Sequence, residues 1–170
     1  MKSIFAAAAV LSIGFAAAAP ALAQETKAGD LVISQPWSRA TPKGAPVGGG
    51  WLVIHNNGST PDTLLGGAAD FAKDVQVHEM SMDNGVMKMR QLEKGLVIPA
   101  GGTVELKPGG YHLMILGLKR PLTQGETARI NLNFEHAGKT PVDFKVGGIG
   151  DKGPMPADGA AGMMKMDDKK

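Results

Sequence analysis

The chain has 170 residues, a formal net charge of +2 and no cysteine. This length suits a single domain with a core of its own, and the near-neutral charge gives no electrostatic argument for nucleic acid binding. The lack of cysteine excludes disulfides and thiolate metal ligands, and we expect no lipid anchor on an N-terminal cysteine.

The first residues predict a secretory signal peptide. Lys2 provides a short positive start, residues 4–19 are apolar and rich in alanine, and residues 21–23 read Ala-Leu-Ala, a cleavage signal. We therefore expect removal of residues 1–23 and a mature exported chain that starts at Gln24. No later apolar run reaches the ~18 residues that a membrane-spanning helix needs, so we expect a protein that does not span the membrane.

Short apolar or alternating segments follow, separated by glycine, proline and asparagine, and they predict one β domain over residues 24–146. The predicted strands are 31–34, 51–55, 63–65, 75–78, 87–92, 103–106, 111–116, 126–134 and 141–146. Gln35-Pro36 is expected to end the first strand, and residues 42–50 to form a loop. This pattern is typical of an antiparallel β-sandwich or barrel. An α+β domain with a helix near residues 70–74 is the alternative.

Residues 147–170 differ in composition from the predicted domain. They lack aromatic residues and have almost no β-branched ones, which predicts a disordered tail. This tail carries Met155, Met163, Met164 and Met166.

Methionine is concentrated in three places. Apart from the initiator, four methionines lie in residues 78–89, one lies in His112-Leu113-Met114, and four lie in the tail. A protein that used methionine as a general core filler would scatter it. Thioether and imidazole together form a soft-to-borderline ligand set that selects Cu(I). Neutral donors also favour a monovalent ion over a divalent one, so the pattern predicts a Cu(I)-binding protein.

The Asn84-Gly85 pair predicts a hairpin with a two-residue type I′ turn. This turn would pair Asp83 with Val86, Met82 with Met87, Met80 with Met89, and His78 with Gln91. Because alternate residues of a strand share a face, all the histidine and methionine side chains of the hairpin would project from one face. A three-residue turn would shift the pairing by one and break this relation. His112 and Met114 would also share a face, at the start of a strand that follows a Pro-Gly-Gly loop.

At these residues the chain resembles the periplasmic copper(I) chaperone family called PCuAC. The family motif has a histidine, a methionine about ten residues later, and His-x-Met about twenty residues beyond it. Here ten residues separate His78 from Met89, and twenty-two more precede His112-Leu113-Met114. The resemblance covers most of residues 28–146. It implies a cupredoxin-like Greek-key β-sandwich whose Cu(I) ligands are His78, Met89, His112 and Met114.

The resemblance also implies a destination for the metal. Members of the family deliver copper towards the binuclear copper centre of cytochrome c oxidase, on its copper-bearing subunit, often together with a Sco-type copper and thiol protein. Some members carry a C-terminal extension that adds copper capacity, and the tail of this chain is similar. A second copper site in the tail, for Cu(II), is an alternative that we keep. We expect a monomer.

Other histidines and methionines have simpler interpretations. His55 and His136 are interpreted as structural residues, and Trp37 and Trp51 as core residues. Met80, Met82 and Met87 are interpreted as sulfur-rich surroundings of the site, with direct ligation by Met80 as the less favoured alternative.

Three other functions remain as alternatives to a chaperone. Copper sequestration would use the same site, and a non-metal interaction module would use the methionines as a binding patch. A blue-copper electron carrier needs a cysteine thiolate, which leaves only a mononuclear copper oxidase among redox proteins. Because the sequence shows no hydrolase motif and no convincing pair of catalytic carboxylates, we expect a protein that is not an enzyme.

Overall fold

Eleven β-strands make up the part of the chain that the structure describes, residues 25–83 and 85–153 of a computed structural model. They are β1 (Thr26–Ala28), β2 (Leu31–Arg39), β3 (Val47–Asn56), β4 (Asp62–Ala68), β5 (Asp74–Asp83), β6 (Val86–Gln91), β7 (Leu96–Ile98), β8 (Thr103–Leu106), β9 (Tyr111–Leu116), β10 (Thr127–Phe134) and β11 (Gly138–Gly147). Within these residues no helix is long and apolar enough to cross a bilayer. The predicted signal peptide and the tail methionines lie outside the described residues.

Seven strands pair into a closed ring in the order β2, β11, β10, β4, β5, β9, β3 and back to β2. The remaining strands extend it: β1 pairs with β2, β6 with β5, β7 with β4, and β8 with β3. The all-β prediction is confirmed, with one addition. The pairing of β11 with β2 is parallel, whereas the other pairings are antiparallel as expected.

The core lies inside this ring because alternate residues of each strand point inwards. On β10, Ala128, Ile130 and Leu132 are fully buried and the residues between them are not. Phe144 on the neighbouring β11 is fully buried as well. Each of the larger side chains, Ile130, Leu132 and Phe144, contributes about 1.5–3 kcal/mol by leaving water, so the period-two pattern stabilises the ring.

Two strand predictions are wrong in a way that shapes the site. Strand β2 does not end at Gln35-Pro36. It continues through a bulge, where Gln35 has a φ of 52° and the pairing with β3 shifts between Ser34 and Trp37. In addition, Gly48, Gly49 and Gly50 belong to β3 and not to the predicted loop. The bulge lets β2 resume its pairing with Trp37 directly opposite Trp51.

Two short strands and one alternative also differ from the sequence analysis. Strands β1 and β7 have three residues each, too few for an alternating pattern to be recognised. The alternative helix near residues 70–74 is wrong, because residues 70–73 form a turn before β5 starts at Asp74.

Candidate metal centre

The β5–β6 hairpin has the register that its turn sequence predicted. The structure pairs Asp83 with Val86, Met82 with Met87, Met80 with Met89, and His78 with Gln91. Gly85 has a φ of 78°, a conformation that glycine adopts without steric cost. Since directly paired residues of antiparallel strands share a face, the histidine and the methionines of the hairpin do project from one face.

Strand β9 lies on the other side of β5 and adds the second histidine. His78 is directly opposite His112, and Gln76 is directly opposite Met114. The imidazole ring centroids of His78 and His112 are 5.8 Å apart. The four candidate ligands therefore belong to one face of three adjacent strands, in the order β6, β5 and β9.

A cavity of about 390 Å³ opens on this face. Met89, His112 and Met114 line it together with Met80, whereas His78 is half-buried beside His112 and does not line it. The cavity lining contains imidazole and thioether donors but no carboxylate. Such a donor set suits a soft monovalent ion better than a divalent one.

The methionines of the hairpin differ in their position relative to the cavity. Met80 lines it, as a cavity-facing neighbour of the candidate ligands. Met82 and Met87 are 69% and 60% exposed and do not line it. Met89 is 46% exposed, so one candidate ligand is accessible from solvent while His112 is buried.

Both candidate histidines make a hydrogen bond through one ring nitrogen. His112 Nδ1 lies 3.1 Å from the carbonyl oxygen of Gly110, and His78 Nε2 lies 3.0 Å from Gln76 Oε1. Burial, with a smaller contribution from His112, lowers the pKa of His78 below its usual value. The fold thereby favours the neutral imidazole, which is the form that binds metals.

One member of a stacked tryptophan pair, Trp51, lines the cavity. Trp37 and Trp51 are buried, as predicted, and they stack with ring centroids 4.4 Å apart. The guanidinium of Arg39 lies 5.0 Å from the Trp51 ring centroid, and its Nε donates to the carbonyl oxygen of Asp151 at 2.6 Å. Arg39, Trp51 and Ile149 all line the cavity. Sequence analysis missed this role, because it depends on the bulge in β2.

The two remaining histidines lie away from this cavity. His55 Nδ1 is 2.7 Å from Thr103 Oγ1 on the paired strand β8, so its structural interpretation is confirmed. His136 is exposed in the turn after β10, and its backbone N–H donates to Asp62 Oδ1 at 2.9 Å.

The fold and this cavity define a class of protein: a cupredoxin-like β-sandwich with histidine and methionine side chains gathered on one sheet face. The family model described as "Putative lipoprotein LpqE-like" matches residues 31–146. The chain therefore belongs to the LpqE-like family, which is of the PCuAC type that the motif predicted.

Individual relatives agree with this assignment. The chain is 34% identical over 135 residues to "Putative lipoprotein Lxx21020" of Leifsonia xyli, covering 78% of this chain and 80% of that protein. It is similar to the copper-bound PCuAC domain from PmoF2, with a TM-score of 0.64, 25% identity and coverage of 74% and 98%. It is also similar to the solution structure of CuI-DR1885 from Deinococcus radiodurans, with a TM-score of 0.53, 30% identity and coverage of 75% and 83%.

Proposed function

We propose that this protein is an exported copper(I) chaperone that binds one Cu(I) through His78, Met89, His112 and Met114. The register of β6, β5 and β9 carries the proposal, because it keeps all four donors on one face. Further support comes from the similar PCuAC domain of PmoF2 and from DR1885, which are described with copper and Cu(I) bound.

The donor chemistry explains how the site would hold the metal reversibly. Two neutral imidazoles and two thioethers match the softness of Cu(I) without adding negative charge. Met89 on the hairpin is nearly half exposed, so it can leave the metal without a rearrangement of the core. Since thioether bonds are individually modest, transfer to a thiolate site on a partner is downhill and requires only exchange of ligands, with no change in oxidation state.

The proposed recipients are the copper-bearing subunit of cytochrome c oxidase and a Sco-type copper and thiol protein. This destination and a periplasmic location follow from the family resemblance, whereas removal of residues 1–23 follows from the predicted signal peptide. Cu(I)-loaded protein mixed with a Sco-type partner tests it, and the expected result is transfer of one equivalent of metal. Retention of the metal by this protein would favour the sequestration function.

An interaction module is the second candidate function, and the exposure of Met82 and Met87 favours it. Exposed methionines adapt to several partner surfaces. In that case partner binding would be insensitive to copper chelation, whereas a chaperone recognises its partner while carrying metal.

The primary test is anaerobic titration with Cu(I) against a competing chelator, followed by copper X-ray absorption on the product. We expect one Cu(I) with mixed nitrogen and sulfur scattering. Met89→Ala should weaken binding at least tenfold, because it removes a donor from the cavity. Met87→Ala is the matched control: it lies on the same strand face, but its side chain does not line the cavity. Equal affinity of the two variants would contradict the proposed ligand set.

A further inference from the structure

Gln76 occupies the face of β5 that carries the candidate ligands, two residues before His78 and directly opposite Met114. Its Oε1 is 3.0 Å from His78 Nε2, and its Nε2 donates to Asp74 Oδ2 at 2.8 Å. An ionised carboxylate accepts hydrogen bonds and cannot donate them. Asp74 therefore turns the amide so that its NH₂ group faces the carboxylate and its oxygen faces His78.

This orientation determines the tautomer of His78. Because an amide oxygen only accepts, the proton of the imidazole must lie on Nε2, which leaves the lone pair on Nδ1. Nδ1 of His78 is buried and has no hydrogen-bond partner among the described residues. Buried polar atoms normally have a partner, so an unpartnered lone pair on a ring whose centroid lies 5.8 Å from that of His112 suits a metal ion.

His112 is held in the opposite tautomer. Its Nδ1 lies 3.1 Å from the carbonyl oxygen of Gly110, and a carbonyl accepts only, so the proton is on Nδ1 and the lone pair on Nε2. A metal-binding histidine usually donates its other ring N–H to an oxygen of the protein. Both rings fulfil this condition, through Gln76 in one case and Gly110 in the other.

We propose that Gln76 is a positioning residue, oriented by Asp74, that makes His78 bind Cu(I) through Nδ1 while His112 binds through Nε2. The inference rests on the proposed Cu(I) site and adds to it the residue that orients one ligand. Hydrogen-bond partners of metal-binding histidines typically change metal affinity 10–100-fold when they are removed.

The first test is long-range ¹H–¹⁵N NMR of the histidine rings, recorded without metal and with Cu(I), which is diamagnetic. We expect His78 as the Nε2–H tautomer before metal is added. Cu(I) should then shift the Nδ1 signal of His78 and the Nε2 signal of His112. A shift of the His78 Nε2 signal instead, or the Nδ1–H tautomer in the metal-free protein, would overturn the inference.

The second test compares Cu(I) affinities of variants by chelator competition. Gln76→Leu removes the acceptor and should weaken binding 10–100-fold. Gln91→Leu is the matched control, because Gln91 lies opposite His78 on β6 and is exposed.

Two results separate the inference from the proposed function. Wild-type affinity and an unchanged His78 tautomer in Gln76→Leu would overturn the inference alone. Failure of the wild-type protein to bind Cu(I) would overturn the proposed function itself. The NMR measurement on the wild-type protein decides the binding nitrogen even where Gln76→Leu does not fold.

Discussion

Asp62 is a buried carboxylate that organises a turn far along the chain. Its oxygens accept hydrogen bonds from the backbone N–H groups of Thr63, His136 and Ala137, at 2.7–2.9 Å. Burial is the largest effect on the pKa of Asp62 and raises it, but these three donors and the nearby His136 side chain together outweigh it, so the pKa lies below its usual value of 3.8. The charged form therefore stabilises the fold.

We expect Asp62→Asn to lower the free energy of unfolding at neutral pH by about 1–3 kcal/mol, because it weakens the hydrogen bonds from three backbone donors. A carboxyl whose pKa is lower in the folded state stabilises the protein above pH 3.8, and this contribution is lost as the pH falls through the folded-state pKa. The difference between wild type and variant should shrink in acid. Chemical denaturation at a series of pH values measures it.

The control for this variant is its affinity for Cu(I). Asp62 lines a different cavity from the candidate ligands, so the affinity should not change. If the free energies of unfolding of wild type and Asp62→Asn differed by the same amount at every pH, the role given to the Asp62 charge would be wrong.

Gly48 and Gly49 of strand β3 both line the candidate cavity, but they differ in how much space surrounds them. A Cβ atom on Gly49 would lie 2.7 Å from Cη2 of Trp51, whereas one on Gly48 would meet only ordinary contacts at 3.5 Å or more. The Trp51 ring cannot easily move, because Trp37 stacks on it and Arg39 lies over it. Gly49 is also directly opposite Met114 on β9.

We expect Gly49→Ala to destabilise the protein by about 1–3 kcal/mol through overpacking and to weaken Cu(I) binding by displacing Met114. Gly48→Ala on the same strand should fold and bind nearly as the wild type does. Thermal unfolding and chelator competition on both variants measure these effects. If the two substitutions cost the same, close packing of Gly49 against Trp51 does not support the site.

The hairpin could be predicted from sequence because its signals are local. The Asn84-Gly85 pair predicts the turn, and the alternating methionines on each side predict the shared face. The pairing of His78 with His112 could not be predicted in the same way, since it joins residues from different hairpins through the β5–β9 ladder. The parallel pairing of β11 with β2 is also non-local.

Other features escaped prediction because their residues carry no distinctive motif. Gln76 resembles any polar strand residue until its two hydrogen bonds are known. Trp51 could be recognised as buried, but its place at the rim of the cavity depends on the bulge near Gln35.

At the scale of the whole molecule, the candidate ligands lie on strands that differ in the number of neighbouring strands they pair with. Strand β9 pairs with both β5 and β3, whereas β6 pairs with β5 alone in the described structure, and every residue of β6 is exposed. Local openings in proteins begin where buried contacts are few. His112 and Met114 therefore lie on a strand that is paired on both sides. Met89 lies on an exposed strand that is paired on one side, which we expect to open more readily.

We expect amide hydrogen exchange without metal to be fastest in residues 86–91 and slowest in residues 111–116 among the strands of the site. Bound Cu(I) would tie Met89 to the β9 ligands, so it should slow exchange in residues 86–91 most. Exchange measured by mass spectrometry, with and without Cu(I), tests this. Unchanged exchange in β6 on metal binding would contradict ligation by Met89.

Strand β3 also runs from the candidate site to the second cavity. Gly49 faces the candidate site through Met114, and Asn56 lines the second cavity, with Asp62 and His136. Gly49 and Asn56 are seven positions apart on this strand, a distance of about 23 Å. The turn at residues 57–59 is thus an attachment point remote from the metal: a fluorophore or surface tether placed there would leave the cavity free for copper and its recipient.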